Sequence, residues 1–499
     1  MRFTGTRLVS LYAIASVWRD AQNTPEQGAQ TRMNAHLFRP LMLACVVLTG
    51  CASYQPQPIT PTQLAKNFEQ RTLADDALRA YLARQVGHPI KPWPLPRWNR
   101  EMLTLAAYYY SPALDIARAQ WGTSKAGIEV AGAIPNPVLQ LPFQYSTVNP
   151  GPGRPYTTGL GLDIPIETAH KRGYRIDQAS HLSEAARVNI RHEAWKIHSQ
   201  VRDALLNLFA ARKQIVLLTQ KVAMQQQILD MMKKREAVGQ TAEPDINLIV
   251  LVLTQTQADL TTAKSASQDA RARLASVMGL PIGPLESVQL NLDEFERTGA
   301  APPPAQARRA AIFNRADLLG SLAKYEAAEG ALQLEIAKQY PNIHIGLGYT
   351  YDTGTNKIGF GLAGITLPVF DRNKGGIAQA EAKRTEAAAN TAALQDKIIN
   401  DLDHALAHYR TSLNTLRLSA VRLSTAQKQL MSQAASFDSG MIDRPALAQA
   451  KADYQTIAIA HLNDVVAAQQ AAGALEDAMQ RPLSPSTPNW TLPQKETPR

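Results

Sequence analysis

Two stretches of the chain, Ile190 to Met232 and Ile399 to Ala434, space their apolar residues alternately by four and three. The first seam runs Ile190, Ala194, Ile197, Val201, Ala204, Leu208, Ala211, Ile215, Leu218, Val222, Gln225, Leu229 and Met232. The second runs Ile399, Leu402, Leu406, Tyr409, Leu413, Leu416, Ala420, Leu423, Gln427, Leu430 and Ala434. Such spacing keeps one face of a helix against a partner helix over many turns. If each helix starts near Lys171 or Gly375, it holds on the order of 60 residues and is roughly 90 Å long at 1.5 Å per residue. That exceeds any ordinary globular domain. A 499-residue chain would by length alone suggest several domains, and these helices argue instead for one elongated assembly.

The seams belong to a larger duplication, offset by about 200 residues, and repeats of this kind decide the architecture. Pro135-Asn136 recurs as Pro341-Asn342, Asp163-Ile164-Pro165-Ile166 as Thr366-Leu367-Pro368-Val369, and the turn at Gly239 as the turn at Gly440. Each half reads as helix, two strands, long helix, glycine turn and return helix. The segment Pro281 to Pro304, rich in proline, glycine and acids, separates the halves. The reading divides the chain into an extension and signal (1–50), a tether and belt segment (51–100), a first repeat (101–280), a linker (281–308), a second repeat (309–481) and a disordered tail (482–499).

Each half carries a strand pair with a period of two. Leu139, Leu141, Phe143 and Tyr145 form one apolar row and Leu160, Leu162, Ile164 and Ile166 its mate, with Pro142 a misfit because it removes a ladder donor. In the second half, Ile343, Ile345, Leu347, Tyr349 and Tyr351 alternate with small or polar residues, as do Ile358, Phe360 and Leu362. Strands of about 9 to 11 residues with one apolar face suit a tilted membrane barrel. Four strands cannot close one, and hydrocarbon tolerates no open edge, so other copies of the chain would have to complete it. Two hairpins half-buried on a water-soluble core remain the other reading of the pattern. Pro165 and Pro368 stand at equivalent points between strand and helix, where a residue without a backbone N–H suits a bend.

Composition removes other classes. Charged residues make up 19% and mean hydropathy is −0.22, which excludes a polytopic helical membrane protein, and 45% hydrophobic residues exclude a wholly disordered one. The net charge of +10 is spread without a basic block, so nucleic acid is not an expected partner. Two cysteines support no disulfide framework or cysteine-rich metal site. Gly359-Phe360-Gly361-Leu362-Ala363-Gly364 matches a dinucleotide-binding fingerprint, yet it lies inside a strand pattern rather than at a strand-to-helix turn. Asp401, His404 and His408 share one helical face and could hold a cation, though such a face is more often solvated. His192-Glu193 lacks the second histidine of a zinc protease motif. No nucleophile or paired-carboxylate constellation points to an enzyme, and no cofactor is expected.

Arg39, the apolar run from Pro40 to Leu48, and Leu48-Thr49-Gly50-Cys51 form a charged flank, an apolar core and a cleavage site in secretory order. The end resembles the lipobox of bacterial lipoproteins, which makes Cys51 the acylated first residue after cleavage. Ala52, rather than an aspartate, resembles outer-membrane sorting. Met33 reads as the translation start, with Cys45 lost in the signal.

Ser111-Pro112-Ala113-Leu114, Pro135-Asn136-Pro137, Gln339-Tyr340-Pro341-Asn342 and Leu367-Pro368-Val369-Phe370, in that order and on a duplicated frame, resemble the TolC-like outer membrane efflux family across residues 90–480. The resemblance implies a mainly α fold with a small membrane β-barrel. It also implies a homotrimer whose chains each give four strands to a 12-stranded barrel and their helical hairpins to an α-helical barrel in the periplasm. It further implies a channel that passively exports heavy-metal cations or drugs through the outer membrane of a Gram-negative bacterium. The partners would be a periplasmic adaptor (membrane fusion) protein, an inner-membrane pump of the resistance-nodulation-division type and outer membrane lipid. Gly239 and Gly440 would sit at the periplasmic tip, with Glu243, Asp245 and Asp443 as gate candidates. The family's aspartate six residues beyond the second glycine is Ala446 here, so only Asp245 carries that match. A periplasmic adaptor or a pore-less coiled-coil lipoprotein is the alternative.

Overall fold

A computed structural model describes residues 54–148 and 153–483. Cys51, the signal segment and most of the proposed tail lie outside the described residues. The chain divides into two units at Asn67. Of the first, the described part is an extended stretch leading into the exposed helix α1 (Pro61–Glu69). The second holds the remaining elements.

That second unit is dominated by two helices, α5 (Lys171–Glu236, 66 residues) and α10 (Lys374–Asp438, 65 residues), each about 100 Å long at 1.5 Å per residue. After α5 the chain returns as α6 (Glu243–Met278), and after α10 as α11 (Arg444–Met479). Two shorter helices, α4 (Pro112–Ala131) and α9 (Ala316–Ala337), pack on the other ends of α5 and α10. The joints between short and return helices are alike in both halves. Arg71 donates to the carbonyls of Tyr110 (3.2 Å) and Gly279 (2.8 Å), tying the start of α4 to the end of α6. Arg315 donates to the Ala478 carbonyl and Gln480 Oε1 accepts from the Ala316 N–H, tying α9 to α11. α5 also packs on α9 and α11, so it lies between the two composite helices, while α10 flanks the second.

The first seam is buried as its spacing predicts, from Ile190 and Ala194 through Val201, Leu208 and Leu218 to Gln225 and Leu229. The second holds its predicted register through Leu402, Leu406, Tyr409, Leu413, Leu416 and Leu423, all buried or half-buried, and departs from it only locally. Ile398 is fully buried beside a half-buried Ile399, and Ala420 and Gln427 are exposed. Next to Ala420, Ser419 is buried and bonds His461 Nδ1 on α11 at 3.0 Å.

Around the middle of α5, helices α2 (Asp76–Val86) and α3 (Arg100–Tyr110) build the largest core, with Leu78, Tyr81, Trp98, Leu103, Leu208 and Phe209 buried together. β1 (Arg97–Trp98) pairs in parallel with β5 (Gln289–Leu290), which draws the inter-repeat segment into this core. That segment also forms α7 (Gly283–Glu286) and a single 3₁₀ turn whose Phe295 stacks near Phe209. α8 (Pro304–Asn314) comes next and buries Ala307 and Ala311 against Leu402 and Leu406 of α10.

At the other end, β2 (Val138–Gln140), β3 (Phe143–Tyr145), β4 (Tyr156–Ile166), β6 (Ile343–Asp352) and β7 (Thr355–Ile365) form one antiparallel sheet. β2 and β3 are one strand broken at Pro142, and both pair with β4, which pairs with β6 and then β7. The register puts Leu139, Leu162 and Leu347 in one outward row with Phe360, and puts Gly161, Gly348 and Gly359 behind it. The sheet exits to helix through left-handed residues. Ala169 and His170 (φ 55° and 58°) precede α5, and Asn373 (φ 56°) precedes α10. Pro165 lies inside β4 opposite His344, and Pro368 lies three residues beyond β7. Lys171 anchors the first exit, donating to the Tyr340 carbonyl and to Asn342 Oδ1 of the second repeat.

α5 and α11 are locked by a buried ionic cluster. Arg202 reaches Asp477 (2.7 Å) and Glu476 (3.2 Å), while Trp195 Nε1 and Ser199 Oγ donate to Asp477. Gly473 makes room, since a Cβ there would lie 2.7 Å from the Arg202 guanidinium carbon. Removing one partner of a buried pair leaves the other charged and unpaired, at a cost of about 3–5 kcal/mol. Arg202→Met is expected to lower the thermal unfolding midpoint clearly, and adding Glu476→Leu is expected to recover much of that loss.

Candidate functional site

The far ends of the two hairpins carry identical turns. Gly239 (φ 75°) and Gly440 (φ 77°) are left-handed, and the next N–H closes back on the helix, Gln240 to the Arg235 carbonyl and Met441 to the Ser436 carbonyl, each at 2.8 Å. A side chain with a Cβ is strained at that φ, which is why glycine occupies both places. The two return helices start differently. α6 begins behind Ala242, which offers no side-chain cap, with Glu243 and Asp245 exposed in its first turn. α11 begins behind Asp443, whose carboxylate accepts from the Ala446 N–H at 2.9 Å.

Asp443 also bonds Arg235, 2.6 Å away at the end of α5. The structure thus brings Asp443 of the second hairpin to the first hairpin, while it pairs Glu243 and Asp245 with no cation among the described residues. Spacing did not single out Arg235, because Lys233-Lys234-Arg235 is the basic last turn that any helix favours at its C-terminus. The Asp443 carboxyl is held below its ordinary 3.8, first by the Ala446 N–H and next by Arg235. Apolar support at this end is slight, a cluster of Leu229, Ile246 and Leu253.

The sheet end presents two unlike faces. Outward stand Ile358, Phe360, Leu362, Leu139 and Leu160, all exposed, with Phe143, Tyr145, Tyr156, Tyr349 and Tyr351 gathered near its turn-bearing end. Inward, the row Gly161–Gly348–Gly359 is all glycine, and the rows on either side mix glycine with polar side chains and Pro165. Thr157 donates to Asp352, Lys357 bonds Asp352 at 2.7 Å, and His344 Nδ1 lies 3.1 Å from Asp163. β7 is exposed along its whole length, and β2 and β3 likewise, so both edges of the sheet are open. The glycine-rich run Gly359–Gly364 belongs to β7 and opens no helix. His404 and His408 stack at 6.3 Å on an exposed stretch of α10, and Asp401 instead pairs with Lys397. No group of three metal-ligating residues occurs among the described residues. No helix among them is long and apolar enough to cross a membrane.

The model of the outer membrane efflux proteins matches residues 107–280 and 307–480, one match per repeat. The chain belongs to this family. Like its members it is an outer membrane efflux channel of the type that serves tripartite pumps, extending into the periplasm of a Gram-negative cell. Among curated proteins it is 25% identical over 310 residues to the cobalt-zinc-cadmium resistance protein CzcC of Cupriavidus metallidurans, covering 61% of this chain and 72% of that one. The fold is that of the outer membrane protein VceC of Vibrio cholerae (TM-score 0.63, 18% identity, 77% of this chain and 97% of that one). The channel CusC (0.61, 16%, 86% and 99%) and the open-state MtrE channel of Neisseria gonorrhoeae (0.62, 15%, 77% and 89%) share it.

Because the Asp443 carboxyl titrates below its ordinary value, the bridge and cap contribute fully above that value and fade only as pH falls through the lowered one. Hydrogen exchange is expected to show protected amides around Gly440 from pH 7 down to about 4. Asp443→Ala is expected to deprotect both hairpin ends, and Arg235→Ala to do so to a smaller extent because the cap to Ala446 survives.

Proposed function

We propose that three copies of this chain close their sheets edge to edge into a 12-stranded barrel and continue it as an α-helical duct. The carrying observation is the sheet itself: strands of bilayer length, an apolar outer face with an aromatic band, an inner face of glycine and polar residues, and two unpaired edges. Unpaired backbone is intolerable in hydrocarbon, so pairing between copies satisfies both the edges and the apolar face. A periplasmic adaptor or pore-less coiled-coil lipoprotein has no need of such a sheet shared by both repeats.

Cys51 carries the lipid that adds a second hold on the outer membrane. The turns at Gly239 and Gly440 form the periplasmic end, where a membrane fusion adaptor docks and an inner-membrane pump of the resistance-nodulation-division type supplies the cargo. The Arg235–Asp443 bridge and the small Leu229–Ile246–Leu253 cluster make that end the least supported part of the hairpins, which suits a gate. An adaptor that binds the parted arrangement better than the packed one shifts the gate by that difference in affinity. Glu243 and Asp245 repeat once per copy, and a ring of carboxylates favours cations. Together with the metal-resistance relative, this favours divalent transition cations as cargo.

In planar bilayers the purified chain is expected to give cation-preferring currents, enlarged by Arg235→Ala and with the preference reduced by Glu243→Gln/Asp245→Asn. A current absent even in Arg235→Ala contradicts the duct. Labelled lipid is expected on the native chain and not on Cys51→Ser.

A further inference from the structure

On the inner face of the sheet, near its helical end, one histidine stands among glycines. His344 faces Gly364 on β7 and Pro165 on β4, and the next inward positions are Gly346 and Gly361. Its side chain is 38% exposed. A bulge in the β6–β7 pairing falls between His344 and Ile345, and bulges of this kind re-aim the side chains beside them. The other inward charges are far off: Asp352 ends β6, eight residues on from His344 and about 27 Å along the strand, and Lys357 bonds it from β7.

His344 has one partner, Asp163, whose two carboxylate oxygens lie 3.1 and 3.2 Å from Nδ1. An ionised carboxylate only accepts, so the neutral tautomer that fits this contact has its proton on Nδ1 and its lone pair on Nε2. Nε2 makes no hydrogen bond among the described residues. A carboxylate behind a histidine, fixing its tautomer and ring orientation, is the arrangement that makes imidazole a good ligand for borderline cations.

We propose that His344, held by Asp163, is a transition-cation contact on the inner wall of the duct, one per chain, which takes a hydrated divalent cation such as zinc or cobalt on Nε2. A single protein ligand with water completing the shell binds weakly, which is what a passage that must also release its cargo requires. That the contact lies on the path of the cargo rests on the duct reading; the ligand pair itself does not.

The test separates the two. Full-length protein in detergent is equilibrated with zinc, and bound metal is counted in a His404→Ala/His408→Ala background that removes the other exposed histidine pair. One zinc per chain is expected to disappear with His344→Ala, and Asp163→Asn is expected to raise the half-saturating concentration about 10-fold. Thermal midpoints should stay unchanged, since the pair is partly exposed. Equal zinc binding with and without His344 overturns the site, and an unchanged affinity in Asp163→Asn overturns the assigned role of Asp163. Bilayer current is read on the same samples with zinc added. A protein that binds zinc through His344 but carries no potassium current keeps the site and discards the duct.

Discussion

A strand edge in hydrocarbon has no water to bond its N–H and C=O groups, and the whole sheet end of this protein is shaped by that. β7 on one side and the broken β2–β3 strand on the other leave two rows of backbone groups open, beside an outer face of Ile358, Phe360, Leu139 and Leu160. A soluble protein would cover or charge such edges. Here the inner face carries glycine midway along strands β4, β6 and β7, at Gly159, Gly161, Gly346, Gly348, Gly359 and Gly361, which keeps bulk out of the lumen of the proposed barrel.

The helical part answers a different constraint. Helices of 66 and 65 residues cannot fold back on themselves, so each is covered in two pieces, a short helix at one end and a return helix at the other. Arg71 and Arg315 close the two joints by the same device, a guanidinium donating to a carbonyl at a helix end. Support is therefore uneven. The aromatic core around Trp98 and Phe209 and the Arg202 cluster hold the middle, while the glycine turns rest on the Arg235–Asp443 pair and a small apolar cluster around Leu229, Ile246 and Leu253. The gate proposed at the glycine turns falls at the weak end of that gradient.

Much of this was legible in the chain. The alternation in β4, β6 and β7 and the first heptad seam are local periodic signals, and the duplicated Gly239 and Gly440 turns reflect a backbone conformation that glycine alone adopts freely. The misses are long-range. Ser419 finds His461 on a neighbouring helix, Arg235 meets Asp443 across 208 residues, and His344 meets Asp163 across 181. None of these pairs has a spacing to read. The bend from strand to helix is another case: Pro165 and Pro368 mark the region, while the left-handed turns fall at Ala169–His170 and at Asn373.

In the proposed trimer each sheet is one third of a barrel. The mass of the intact particle, taken by native mass spectrometry from outer membranes extracted in mild detergent, tests this. Three chains per particle, persisting on dilution, is the predicted result. A particle of one chain, extracted from the outer membrane with its sheet intact, would contradict it.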